Sequence, residues 1–273
     1  MRSMFVKSVA LAGCILLAAC NTAEVTSSEF VDDVQPAEVL YNQALANMDA
    51  GDLKAAGERL EELDRQHPYS EFSRRSLILS TFVNYRRGDY ASTVATGKRF
   101  ISLYPGDKDA AYAQYLIGMS YFKQIPHITR DQSTTARAYN AMNAVVEKYP
   151  ESEYVEDARK KMRIAYDQLA GKEMLVGRYY QERREYLAAI NRFRKVAEEF
   201  QSTRHVEEAL ARLTESYFAL GLVTEAQNSA AVLGHNFPDS QWYKDSYALL
   251  ETGGVRPQES SGSWLSNLFS KKS

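Results

Sequence analysis

The sequence predicts an all-α protein, a superhelical solenoid of about five helical hairpins with a C-terminal capping helix, occupying residues 36–250. Three observations lead there. A Pro-x-[Ser/Asp] string recurs at Pro68, Pro105, Pro150 and Pro238, with Gln201-Ser202-Thr203 in the missing place, at spacings of 37, 45, 51 and 37 residues. Midway through several units a glycine breaks the chain, at Gly51, Gly88 and Gly221. Between the breaks, apolar residues recur at the helical period.

Each Pro ends a helix because it lacks the amide that the helix requires, and the Ser, Asp or Thr two residues on is suited to N-cap the next. Each mid-unit glycine is suited to the left-handed conformation that closes a helix. The first hairpin then pairs Leu40, Ala44 and Met48 with Leu53, Ala56, Leu60 and Leu63, and the second pairs Leu79, Phe82 and Tyr85 with Tyr90, Val94, Ile101 and Tyr104. In the third, Ile125 to Gln132 are inserted between the helices. The fourth carries extra helical length from Lys172 to Arg184, and the Ala170-Gly171 break predicts two helices over 151–185 before a Tyr186–Phe200 helix. The fifth pairs Ala209, Leu213, Tyr217 and Leu220 with Ala226, Ala230 and Leu233, and Trp242–Leu250 forms the cap. The pattern resembles the tetratricopeptide repeat, slightly longer than its usual period of about 34 residues.

Residues 1–19 read as an export signal. Arg2 and Lys7 precede a short apolar run that ends in Leu17-Ala18-Ala19-Cys20, too short to span a bilayer. This ending resembles a bacterial lipobox, which implies cleavage before Cys20 and lipidation of its thiol. A conventional signal peptide cut at Ala-x-Ala is the other reading. Asn21 lacks the Asp that retains such lipoproteins in the inner membrane, so the resemblance implies an outer-membrane anchor facing the periplasm. Residues 20–35, with Glu24, Glu29, Asp32 and Asp33, read as a flexible tether.

Several function classes are excluded or disfavoured. Both cysteines, Cys14 and Cys20, lie in the first twenty residues, which leaves the body without a disulfide framework, a thiolate metal site or a thiol nucleophile. A formal charge of -2 does not suit nucleic acid. The four histidines His67, His127, His205 and His235 form no i, i+4 ligand pair, and no nucleotide-binding or hydrolase motif occurs, so no metal, cofactor or enzymatic activity is expected.

Further strings accompany the lipobox: Leu103-Tyr104-Pro105-Gly106, Ala113-Gln114-Tyr115-Leu116, Arg130-Asp131-Gln132, Tyr149-Pro150-Glu151-Ser152-Glu153-Tyr154, Leu169-Ala170-Gly171-Lys172-Glu173, Gly177-Arg178-Tyr179-Tyr180 and Ala189-Ile190-Asn191-Arg192-Phe193. Together they resemble the BamD family, the tetratricopeptide lipoproteins of the outer-membrane β-barrel assembly machine, over roughly residues 20–250. The resemblance implies a non-enzymatic scaffold. Its partners would be the POTRA-bearing barrel subunit, accessory lipoproteins and unfolded outer-membrane proteins.

Arg178, Arg183 and Arg192 lead the densest basic stretch, which suits either a solvated helical face or docking onto an acidic partner. Tyr41, Tyr85 and Tyr112 lie on first helices, which line the concave side of such repeats, and suit either packing or a groove for aromatic-ended barrel segments. The tail, 251–273, opens as a flexible linker and carries Trp264, Leu265, Leu268 and Phe269 on one helical face. It suits a disordered end, a helix docked on a partner or a membrane contact. From another class, a periplasmic adaptor coordinating cell-wall synthesis with the envelope fits the same pattern of repeats.

Overall fold

In a computed structural model, residues 34–260 and 263–270 are described. From Pro36 onward the chain forms one unit. Its helices are α1 (Ala37–Asp49), α2 (Leu53–Gln66), α3 (Ser73–Arg87), α4 (Tyr90–Leu103), α5 (Ala110–Lys123), α6 (Ser133–Lys148), α7 (Val155–Glu182), α8 (Tyr186–Glu199), α9 (Val206–Ala219), α10 (Val223–Asn236), α11 (Gln241–Thr252) and α12 (Trp264–Ser270). No strand occurs among the described residues. The ten helices α1 to α10 pair as five antiparallel hairpins, and α11 packs against α9 and α10 as the cap.

The breaks behave as the residue types dictate, with two differences. Gly51, Gly88 and Gly221 take positive φ angles of 79°, 77° and 73°, which close three hairpins. In the fourth hairpin no glycine is available, and Arg184 itself adopts φ 63°, a left-handed conformation costly for a residue with a Cβ. The Pro-marked turns end α2, α4, α6 and α10 as expected, but the polar residue two positions on is the N-cap only at Ser240, whose side chain accepts from the Trp242 amide at 3.2 Å. Asp107, Ser152 and Thr203 instead accept from the amides of Asp109, Tyr154 and His205, making a polar turn that precedes the helix by a few residues. Asp52 and Asp89 cap α2 and α4.

The two departures from the repeat period prove to be one feature. The expected pair of helices over 151–185 is a single 28-residue helix, α7, because Ala170-Gly171 does not break it. Gly171 is there for proximity. A Cβ on it would sit 2.8 Å from Cδ1 of Ile128 and 3.1 Å from Nε2 of His205. The inserted loop therefore lands on α7, where Gln168 and Lys172 donate to the carbonyls of Pro126 and Thr129. Buried Gln132 braces the loop from within, donating to the carbonyls of His127 and Arg130 and accepting from the Thr135 hydroxyl. Packing of the loop against the glycine overrides a helix-interior cost of about 1 kcal/mol.

Consecutive helices pack as neighbours along the whole array, and α3 with α5, α5 with α7 and α9 with α11 also meet directly. The even-numbered helices α2 to α10 do not approach one another to this extent. Stacked hairpins must curve toward the row whose members come closest, so the first helices form the inner wall.

The tail returns to the body. Leu265 is 1% exposed and joins the core formed by α8, α9 and α10. The Arg194 guanidinium lies 4.3 Å from the centre of the Trp264 ring. Between α11 and α12, Asn228 exchanges hydrogen bonds with Ser260, and Gln227 donates to the Arg256 carbonyl. The amphipathic segment is thus seated on the last two hairpins of its own chain.

Candidate partner-binding surfaces

The basic residues of α7 and α8 are not one patch. Glu173, its side chain 14% exposed, accepts from Arg192 at 3.0 Å and from Lys195 at 2.8 Å, joining the two helices of the fourth hairpin. Burial would raise the Glu173 pKa, but the hydrogen bonds and charges of Lys195 and Arg192 outweigh it and hold the carboxyl below its ordinary value. One turn beyond on α7, Arg178 donates to both carboxylate oxygens of Glu208 at 2.9 Å, tying α7 to α9. Arg212 continues that network to Glu215 and lies 5.2 Å over the Trp242 ring of α11. Arg178, Arg212 and Glu215 line a cavity of about 500 Å³ with Phe218, Asp245 and Leu249. Arg183, at the end of α7, stands apart and exposed, stacked on Tyr179 at 4.9 Å and bonded to its hydroxyl.

Of the sequence-selected arginines, then, Arg178 is an inter-hairpin tie, Arg183 a local stack, and Arg192 a partly exposed member of a carboxylate clasp. Neither Glu173 nor Glu208 is legible in advance as their partner. Ion pairs between helices depend on tertiary register, and only their acidic character is visible in the string. Cys20 lies outside the described residues.

The tyrosines divide in the same way. Tyr112 and Tyr115 of α5 meet Tyr154, at the start of α7, with ring centres 5.3 and 4.9 Å apart. Tyr115 donates to Asp157 at 2.7 Å, and Lys161 holds the other oxygen of that carboxylate at 3.0 Å. Burial pushes the Tyr112 phenol up to about 12, with the neighbouring Tyr154 and Tyr85 adding to it, and Tyr115 is raised by burial and by Asp157. Tyr85 of α3 is close enough to Tyr112 and Tyr115 to affect both titrations, and its own ring lies 6.0 Å from Tyr90. So Tyr85 and Tyr112 belong to one half-buried, uncharged aromatic cluster on the inner wall. Tyr41 is separate, packed on Phe72 at 5.2 Å. Sequence reasoning missed Tyr154, although Tyr154 and Asp157 stand three apart at a helix start, the spacing that places two side chains on one face.

Among the described residues no group of His, Cys, Asp or Glu is arranged to hold a metal ion, and no helix is long and apolar enough to cross a membrane. His205, at the base of α9, is lowered in pKa by burial and is therefore neutral at pH 7.

A family model, YfiO, described as an outer membrane lipoprotein, matches residues 33–233. The chain belongs to this family. An outer membrane protein assembly factor BamD of Caulobacter vibrioides is 46% identical over 227 residues, 83% of this chain and 74% of its own length. The BamD of Rickettsia prowazekii is 37% identical over 220 residues, 81% of this chain and 88% of its own. Among solved structures, a tetratricopeptide repeat protein from Parabacteroides merdae covers 80% of this chain and 75% of its own at 17% identity, with a TM-score of 0.40. The match to the BamD and YfiO family takes in α1 to α9 and most of α10, and so Arg178, Arg183, Arg192 and the inner-wall tyrosines.

Proposed function

We propose that the protein is a lipid-anchored periplasmic scaffold of the outer-membrane β-barrel assembly machine, without catalytic activity of its own. On this reading the fourth hairpin holds the POTRA-bearing barrel subunit, accessory lipoproteins join the same complex, and the inner wall of the first three hairpins takes unfolded barrel segments. Lipidated Cys20 anchors it to the outer membrane. Membership of the BamD family, over nearly the whole helical array, carries the reading.

The Glu173 clasp supports a docking role for Arg192. The side chain is held in place by a mostly buried carboxylate yet remains 43% exposed, and most of its five N–H donors are left for a partner carboxylate. The test is co-purification of the barrel subunit from detergent-solubilised membranes. Arg192→Glu should lower its recovery about tenfold or more, since it replaces an attraction by a repulsion at the interface. Arg192→Gln should lose less, with helicity unchanged in both. Undiminished recovery, or loss of fold in step with recovery, would remove Arg192 from the interface.

For the inner wall, the measurement is titration of a peptide ending in a barrel-type strand with a terminal aromatic. Single Tyr→Ala changes at Tyr41, Tyr85 or Tyr112 should weaken binding several-fold, each ring contributing about 0.5–1.5 kcal/mol. The triple variant should nearly abolish it, and equal affinity in a folded triple variant would place the substrate elsewhere.

A further inference from the structure

Four cations stand on the first turns of α7, and they are treated unequally. Lys160 pairs with Glu156 and Lys161 with Asp157, each one turn back on the same helix. Arg159 and Arg163 are exposed, and among the described residues neither is met by a carboxylate. Both overlook a groove made of two contiguous hollows of about 300 and 490 Å³, which share Arg163, Tyr166 and Ser202. Its floor is aromatic: Tyr139 of α6 stacks on Tyr166 with ring centres 5.2 Å apart. The Tyr166 hydroxyl is bonded to the Glu199 carbonyl, and its ring also packs on Phe200 with centres 4.8 Å apart, which fixes it in place. Ile164, 55% exposed, forms one rim, and the turn carrying Ser202 and Thr203 forms the other. The carboxylate at the far end, Asp167, is already taken by Arg204 at 2.9 Å.

We propose that this groove is a docking site for an acidic segment of a protein partner, with two carboxylates on Arg159 and Arg163 and an apolar side chain in the adjoining hollow lined by Ile164 and Tyr166. Charge complementarity selects the occupant. Two uncompensated guanidiniums one helical turn apart, with Cβ atoms about 5–6 Å from each other, match carboxylates on one side of an extended strand or helix turn. The open hollow lies between α7 and the turn carrying Ser202 and Thr203 and has room for a few side chains, which suits a peptide. The proposal rests on the reading of the protein as a scaffold but uses neither the Glu173 clasp nor the inner-wall tyrosines.

The test places the photo-cross-linking residue benzoylphenylalanine at position 164 of the full-length protein in its native membranes. The captured peptide is identified by mass spectrometry, and the same probe at position 192 serves as a control. The expected product is a partner segment with at least two carboxylates close to the cross-link. Its yield should fall about fivefold or more in Arg159→Glu/Arg163→Glu and also in about 0.5 M salt, because the contact is electrostatic and near the surface. Arg159→Gln/Arg163→Gln should fall less, and cross-linking from position 192 should persist throughout. Capture of lipid, of a segment without carboxylates, or of nothing at all would overturn the proposal, as would a yield indifferent to the charge reversal. Loss of cross-linking at position 192 in the unsubstituted background would count against the scaffold reading and not against the groove.

Discussion

The first three hairpins and the last two are built on different principles. From α1 to the first turns of α7 the apolar interior is a series of small clusters: Leu60 with Val83, Phe100 with Leu77 and Ala113, and Met142 with Val145 and Ala158. From the middle of α7 onward a single cluster runs without interruption from Ala170 through Phe193, Leu210 and Leu233 to Leu250 and Leu265. The clasp at Glu173, the Arg178–Glu208 tie and the returning tail all fall in that second region. In a stack where each hairpin touches only its neighbours, stability is nearly a sum of local terms. The C-terminal half is therefore expected to behave as a rigid platform, and the N-terminal half as a row of hairpins able to adjust to an extended ligand.

This contrast is open to direct attack. Phe193→Ala should have the largest effect, about 3–5 kcal/mol, because a fully buried ring is removed from the continuous core. Leu60→Ala should cost about 2–5 kcal/mol but act on the N-terminal hairpins alone. Urea unfolding followed by hydrogen exchange should show the two variants loosening different sets of amides, and one shared set would erase the distinction. A smaller effect is expected from Gly177→Ala. Its Cβ would overlap Cε1 of Phe193, and displacing that ring should cost about 1–3 kcal/mol in the same assay.

The smallest effect is tied to pH. Glu173 is held below the ordinary carboxylate value of 4.5, so the clasp contributes stability above that pH, and the contribution fades as pH falls through the lower folded value. A thermal-unfolding series from neutral pH to below pH 4.5 should show a steeper loss for the wild type than for Glu173→Gln, which has no charge to lose. Parallel curves would mean that the clasp contributes nothing to the platform.

Much of the array was legible because its punctuation is chemical. Proline forbids the next helical amide, and Gly51, Gly88 and Gly221 accept a backbone conformation that other residues resist, so the hairpins could be counted from the string. The reading failed at Gly171, where the same residue type serves close packing and not chain reversal, whereas the turn before Tyr186 was placed correctly although Arg184, and not a glycine, takes the left-handed conformation there. The candidate sites were less legible than the fold. Arg178, Arg183 and Arg192 look equivalent in sequence but have three different fates, because their partners Glu208, Tyr179 and Glu173 come from different turns or helices.

By itself, the sequence determined the helical class, the five hairpins, the cap and the resemblance that family membership bears out, since periodicity, breakers and local strings are properties of neighbouring residues. Tertiary structure alone decided that the insertion rests on α7, that the tail folds back with Leu265 in the core, and that Arg192 and Lys195 converge on Glu173 while Arg178 meets Glu208. The physical reason is range. Helix formation, chain reversal and ion pairs one turn apart are settled within a few residues, whereas ion pairs between helices, close glycine contacts and burial depend on which helices the stack brings face to face.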